Sequence, residues 1–184
     1  QGFSMDYWKE SMTQAFWRIG REVSLYIHLP FCESLCTYCG CHTYITKNHT
    51  VELPYVEALL KEWQLYIALL PGKPILKEIH LGGGTPTFFA AEQLANLIKE
   101  IQSTCEITSD SHFSLEGHPR NTTREHLQML GELGFDRLSL GIQDFDPEVQ
   151  KTINRIQTFE QVKEVTDIAR ELGYTSINYD LIYG

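Results

Sequence analysis

Apolar side chains between residues 56 and 70 recur at three- and four-residue spacing. Val56, Leu59, Leu60, Trp63, Ile67 and Leu70 share one stripe of a predicted helix. Pro54 suits its first turn, and Pro71-Gly72 stops it. Leu94, Leu97, Ile98 and Ile101 mark a second helix. Leu127, Leu130 and Leu133 mark a third, with Thr122 and Glu125 spaced as a capping box and Gly134 closing it. Val162, Val165, Ile168 and Leu172 mark a fourth, capped by Thr158 and Gln161 and ended by Gly173.

Short β-branched and aromatic runs separate these stripes. SLYIHLPF (24–31), LKEIHL (76–81), HFSLEGHP (112–119), RLSLGIQD (137–144) and SINYDLIYG (176–184) read as five strands. ELGFDRLSLGIQD (132–144) and ELGYTSINYDLIYG (171–184) repeat one order: helix end, glycine, strand, polar end. The α/β class follows, with about five βα units on a parallel sheet, either a β/α barrel or an open doubly wound sheet. GGGTP (82–86) lacks G-x-G-x-x-G spacing and a P-loop lysine, so it does not choose between them. The chain stops on a strand at Gly184, whereas a complete (β/α)8 barrel needs ~250 residues. It is therefore expected to be a truncated part of a longer protein. Residues 1–23, with DYWKESMTQAFW, read as an amphipathic packing helix, and residues 24–184 as one core.

A chain of 184 residues with 42% hydrophobic content suits one domain with a sizeable core. Its net charge of −9 leaves no expectation of a nucleic-acid or anionic-membrane surface. No stretch approaches the ~20 apolar residues needed to cross a bilayer. QGFSMDYWKE lacks the basic start and apolar run of a secretory signal, so a reducing cytoplasm is the expected compartment.

Against that background the cysteines stand out. FCESLCTYCGC (31–41) carries four of the five, spaced C-x3-C-x2-C-x-C at Cys32, Cys36, Cys39 and Cys41, with Cys105 far along the chain. A structural zinc site takes two close pairs with a long spacer, and no second pair exists here. Disulfides in so short a loop would be strained. Three thiolates on one tight loop suit three corners of an iron–sulfur cube, leaving a fourth iron open to a small molecule. Zinc and incidental thiols remain the alternatives. Other polar groups fall at the carboxyl ends of the remaining strands: Gly83 to Thr85, Glu116, Gln143 and Asp180. In parallel α/β folds those ends converge on one site.

C-x3-C-x2-C after a first strand, with GGGTP after the second, resembles the radical S-adenosylmethionine (SAM) superfamily. YIHLPFCESLCTYCGC, LGGGTPT, LGIQDFDPEVQ, INR and DLIYG together resemble oxygen-independent coproporphyrinogen III oxidase, across Ser24 to Gly184. The resemblance implies a partial (β/α) barrel of the radical SAM type. It further implies a [4Fe–4S] cluster on Cys32, Cys36 and Cys39, with SAM chelating the fourth iron. Cys41 matches an additional family cysteine, not expected as a ligand, where related haem chaperones carry phenylalanine. Tyr26 and Tyr38 match SAM-contacting positions. Gly83, Gly84 and Thr85 would let backbone approach the methionine end, and Glu116, Gln143, Arg155 and Asp180 match further SAM-binding positions. One departure is visible: the family commonly reads Glu-x-Asp-Pro where this chain has Glu116-Gly117-His118-Pro119.

The implied reaction is oxidative decarboxylation. A reduced cluster passes an electron to SAM, which splits into methionine and a 5′-deoxyadenosyl radical. The radical takes a hydrogen from a propionate of coproporphyrinogen III. Loss of CO₂ and one electron leaves a vinyl group, and a second round gives protoporphyrinogen IX. A separate electron donor, such as a flavodoxin-type protein, is expected, and the sequence does not identify it. The isolated chain is expected to bind cluster and SAM weakly and not to turn over at full rate.

Each residue also has a plainer reading. Tyr26 could be ordinary core, the glycines a tight turn, Arg155 a surface charge, and Glu116 or Asp180 a solvated carboxylate. His28 and His80 read as hydrogen-bonded core histidines and stay outside the expected site. Two other functions compete: a haem chaperone on the same barrel, and a zinc-stabilised binding module.

Overall fold

The computed structural model describes residues 4–183. Among the described residues seven strands and six α-helices run in the order α1 (Met5–Arg18), β1 (Glu22–Leu29), β2 (Phe31–Cys32), β3 (Tyr44–Ile45), α2 (Glu52–Leu69), β4 (Ile75–Gly83), α3 (Ala91–Ser103), β5 (Glu106–Gly117), α4 (Arg124–Gly131), β6 (Phe135–Gln143), α5 (Pro147–Thr152), α6 (Phe159–Glu171) and β7 (Ser176–Leu181), with short 3-10 turns at His49–Val51 and Pro86–Phe88. Each of the five long strands matches an expected one within a few residues, except that β5 begins at Glu106, six before the expected start. Residues Gln1–Phe3 and Gly184, the ends of the expected N-terminal and core segments, lie outside the described residues.

β1, β4, β5, β6 and β7 form one sheet in that order, and every pairing is parallel. A doubly wound sheet reverses its strand order at a switch point, whereas a barrel adds each strand beside the last. Spatial order here follows chain order throughout, so the chain is a section of barrel wall. Helices α2, α3, α4 and α6 touch one another in the same succession, as connections of one hand require.

The core lies between that helical layer and one face of the sheet. Ile27, Leu29, Ile79, Leu81, Phe113, Leu115, Leu138 and Leu140 are buried from the strands. From the helices come Val56, Trp63, Leu94, Leu97, Ile98, Ile101, Leu127, Leu130, Val162 and Val165. Leu59, Leu60, Ile67, Leu133, Ile168 and Leu172 pack against it at the margin. The opposite, concave face of the sheet carries Tyr26, His28, His80, Ser114, Glu116, Ser139, Asn178 and Asp180, none of them buried. A closed eight-stranded barrel fills its interior with branched apolar side chains. A polar concave face is built to hold something else.

Two local expectations need correction. The first strand ends at Leu29 rather than residue 31, because Pro30 has no N–H for the ladder. The box ahead of α4 is formed by Thr123 and His126, one residue beyond the expected Thr122 and Glu125. Thr122 instead donates its hydroxyl to His118 O at 3.0 Å and to Thr87 Oγ1 at 3.2 Å. The box at Thr158 and Gln161 is present as read. Among the described residues no helix is long and apolar enough to cross a membrane.

Candidate functional site

The cysteine loop is fixed at both ends by backbone pairing. Leaving β1, the chain turns at Pro30 into β2, which pairs with β3 beyond the loop; Tyr44 N donates to Pro30 O at 2.8 Å and Thr46 N to Cys32 O at 2.9 Å. The glycine segment after β4 lies alongside, with Gly84 N donating to Leu29 O at 2.9 Å and Thr85 N to Phe31 O at 3.0 Å. This closeness demands glycine. A Cβ on Gly84 would sit 2.6 Å from Pro30 O and 3.0 Å from Cys32 Sγ, and Gly83, at φ +118, has no room because a Cβ would meet the His28 ring at 2.8 Å.

A cleft of about 220 Å³ opens at this end of the sheet. It is lined by Cys32, Cys36, Tyr38, Cys39, Cys41, Gly83, Gly84, Thr85, Glu116, Gln143, Arg155 and Asp180, together with His118 and Arg120. Eleven of the twelve expected site residues therefore meet in one place. Tyr26 is the exception. It stands on the concave face with its ring stacked on His80 at 5.7 Å and its hydroxyl 3.1 Å from His28 Nδ1, and it does not line the cleft. Cys105 is buried in the core in the connection between α3 and β5, apart from the other cysteines.

Glu116, Asp180 and Arg155 are each held by neighbours. Glu116 accepts from Gly83 N at 3.3 Å and lies 3.2 Å from His80 Nε2, while His80 Nδ1 is 2.8 Å from Ser114 Oγ. Asp180 accepts from Asn178 Nδ2 at 2.8 Å and Ser139 Oγ at 3.2 Å. Arg155 donates to Gly141 O through Nε at 3.1 Å and Nη2 at 2.6 Å, and its Nη1 lies 3.8 Å from Cys36 Sγ. Gln143 occupies the left-handed region at φ +68, which breaks the strand and turns its side chain toward the cleft. His28 and His80 do hydrogen-bond as expected, yet both stand half-buried on the open face rather than in the core.

Burial pushes the Cys32 thiol up, against the Thr85 hydroxyl, which lies 3.3 Å away and lowers it. Cys39 and Cys36 add to the rise and Arg155 opposes it. Cys32 thus favours its neutral thiol; a cationic centre would reverse that preference. Burial also takes the Tyr38 phenol up to about 12, with Arg155 opposing. His118 is held down at about 3, first by burial and then by the Arg155 and Arg120 guanidinium groups.

The cleft brings the thiols of Cys32, Cys36, Cys39 and Cys41 together with the guanidinium of Arg155, the amide of Gln143 and the carboxylates of Glu116 and Asp180. Among the described residues no three His, Cys, Asp or Glu side chains gather closely enough for a single metal ion. One zinc draws all its ligands to a common point at ~2.3 Å, whereas a cube takes each thiolate at a separate iron. The donor set fits the cluster better than zinc. The wall groups fit a ligand carrying both an ammonium and a carboxylate.

Four residues that sequence reasoning did not assign also shape the site. Asn154 and Thr37 tie the cysteine loop to the turn before Arg155; Ser139 and Asn178 orient Asp180. Only Asn154 carried a local sign, as a polar turn residue inside the INR segment.

The Radical SAM superfamily model matches residues 26–184. Oxygen-independent coproporphyrinogen III oxidases are similar along nearly the whole chain. That of Helicobacter pylori is 42% identical over 188 residues, covering 99% of this chain and 41% of the relative. That of Pseudomonas aeruginosa is 41% identical over 169 residues, covering 91% and 37%. Among solved structures, coproporphyrinogen III oxidase (HemN) from Escherichia coli, a radical SAM enzyme, superposes with TM-score 0.89 at 35% identity, covering 99% of this chain and 41% of that one. Native anSMEcpe with bound AdoMet shares the fold at TM-score 0.52 and 18% identity. The chain spans about two-fifths of the length of the coproporphyrinogen oxidases it matches.

Proposed function

The chain belongs to the radical SAM superfamily, and from that premise we propose that it is the cofactor-binding part of an oxygen-independent coproporphyrinogen III oxidase. Cys32, Cys36 and Cys39 would hold a [4Fe–4S] cluster. SAM would lie along the cleft, with Arg155 toward its carboxylate and Glu116, Gln143 and Asp180 available to its ammonium and ribose hydroxyls. Gly83, Gly84 and Thr85 offer close backbone approach, and the Tyr38 ring offers a planar surface. Tyr26 would act from the concave face. Once bound, cluster and SAM would together supply one-electron reductive cleavage and hydrogen abstraction.

The chain's own residues do the rest. The ladder from Gly83 N and His80 to Glu116 keeps that carboxylate aimed into the cleft. Asn178 and Ser139 do the same for Asp180. Arg155, braced on Gly141 O, keeps its charge beside Cys36 without forming a carboxylate pair among the described residues. The substrate would be coproporphyrinogen III, met on the polar concave face, and the electron donor a flavodoxin-type protein in the cytoplasm. The net charge of −9 supports a role without nucleic acid or membrane partners.

One observation carries this reading: four thiols, those of Cys32, Cys36, Cys39 and Cys41, and the polar ends of four strands line a single cleft. Anaerobic reconstitution with iron and sulfide, followed by electron paramagnetic resonance with and without SAM, tests it. About four irons per chain and a spectrum shifted by SAM are expected. Conversion of coproporphyrinogen III by the full-length protein then tests the substrate. Uptake of zinc alone, or tight haem binding with no response to SAM, would replace this reading with one of the two alternatives.

A further inference from the structure

Resting on the assignment of Cys36 to the cluster, we propose that Asn154 is a positioning residue that clamps the cysteine loop to the SAM-binding arginine, with Thr37 as its counterpart on the loop. The β2–β3 pairing fixes the loop only at its ends. Its middle, residues 35–37, is held by a single turn at the end of α5. Asn154 Nδ2 donates to Leu35 O at 2.7 Å across a sequence separation of 119. Thr37 donates twice in return, from its N–H to Ile153 O at 3.1 Å and from its hydroxyl to Thr152 O at 3.0 Å. Arg155 Nη1 adds the contact to Cys36 Sγ at 3.8 Å. Four interactions thus bracket one thiol, and all come from residues 152–155.

The backbone of Asn154 is shaped for this task. It sits in the left-handed region at φ +53, which costs most side chains energy and which asparagine tolerates best after glycine. A turn asparagine ordinarily spends its amide on its own backbone. This one reaches into another loop. The same turn delivers Arg155, whose N–H donates to Gln150 O at 2.9 Å and whose guanidinium is braced on Gly141 O. One turn therefore sets both the middle cysteine and the arginine expected to grip the SAM carboxylate. Its function is register: the iron opposite the three thiolates and the carboxylate-binding group are placed by one rigid piece of chain.

Two substitutions isolate the amide. N154G keeps the left-handed backbone and removes the donor. N154D keeps the shape but presents an acceptor to Leu35 O. Both are made in the full-length protein and compared with the parent. In the cluster-free protein, hydrogen exchange at the Thr37 amide should accelerate roughly fivefold, the worth of one lost hydrogen bond. After reconstitution, the SAM concentration that half-shifts the paramagnetic spectrum should rise several-fold, while the melting transition stays cooperative. A purely structural asparagine would not move that spectroscopic titration. Parent-like exchange and parent-like SAM titration in both variants would overturn the proposal. Should N154G melt without cooperativity, T37V, which deletes only the hydroxyl, decides in its place by the same two readouts. A parent protein that takes up no cluster would instead refute the assignment of Cys36, and the exchange measurement would still decide whether the clamp exists.

Discussion

Glu116 and Asp180 owe their orientation to a side chain on the neighbouring strand together with one on their own. His80 and Ser114 stand one ladder step below Glu116, and Asn178 and Ser139 flank Asp180. His118 shows the same dependence with the opposite charge. Burial and two guanidinium groups hold it neutral down to about pH 3, against 6.5 in the unfolded chain. The native state therefore refuses a proton that the unfolded state accepts between those values. The stability this contributes is complete above pH 6.5 and is lost as the pH falls toward 3. Urea unfolding of cluster-free protein from pH 7 to 4 should show a shallower acid loss for H118N than for the parent; parallel curves would contradict it. Glu116 and Asp180 could be read as candidates from their places on predicted strands, and Arg155 only from the resemblance that the INR segment carries. Their partners could not, since a strand's sequence does not say which residue lies beside it.

At the scale of elements, the end of β4 and the start of the cysteine loop act as one unit. Gly84 lies against Pro30 O and Cys32 Sγ so closely that one methyl group must displace the loop. G84A should therefore lose most of its cluster and its SAM response, measured by iron content and paramagnetic resonance, while far-ultraviolet circular dichroism stays near that of the parent. Retention of a full, SAM-responsive cluster would show that the loop can move aside at little cost. Capping shows how far local pattern reaches. Thr158 and Gln161 pair as their spacing predicts. Thr122 and Glu125 have a suitable spacing, yet the Thr122 hydroxyl is taken by Thr87, 35 positions away, and the helix starts one residue later on Thr123. The six-residue helix α5 escaped the hydrophobic pattern altogether. Its stability comes from the Asp146 cap, which accepts from Glu148 N at 2.8 Å, and from buried Gln150, which bonds Asp144 O and Gln157 O at 2.9 Å each.

For the whole molecule, the core and the site occupy opposite faces of one sheet. Leu81, Leu97, Leu115, Leu127 and Leu140 are fully buried on the helical side and touch none of the cleft chemistry. A zinc-stabilised module would unfold without its metal. Here C32A/C36A/C39A should keep a cooperative thermal transition and parent-like circular dichroism while losing all iron uptake. Global unfolding of that variant would mean that the loop, and not the core, holds the fold. By itself the sequence determined the five long strands and the helices packed on them, the thiol spacing, and the polar residues waiting at the strand ends. These are local properties, written in periodicity and in neighbours along the chain. Tertiary structure alone decided that the sheet winds in one direction and that Tyr26 lies off the cleft. It also decided that a turn 119 residues away holds the middle of the cysteine loop. Those outcomes depend on which residues meet across strands and loops, and long-range pairing leaves no period in the sequence.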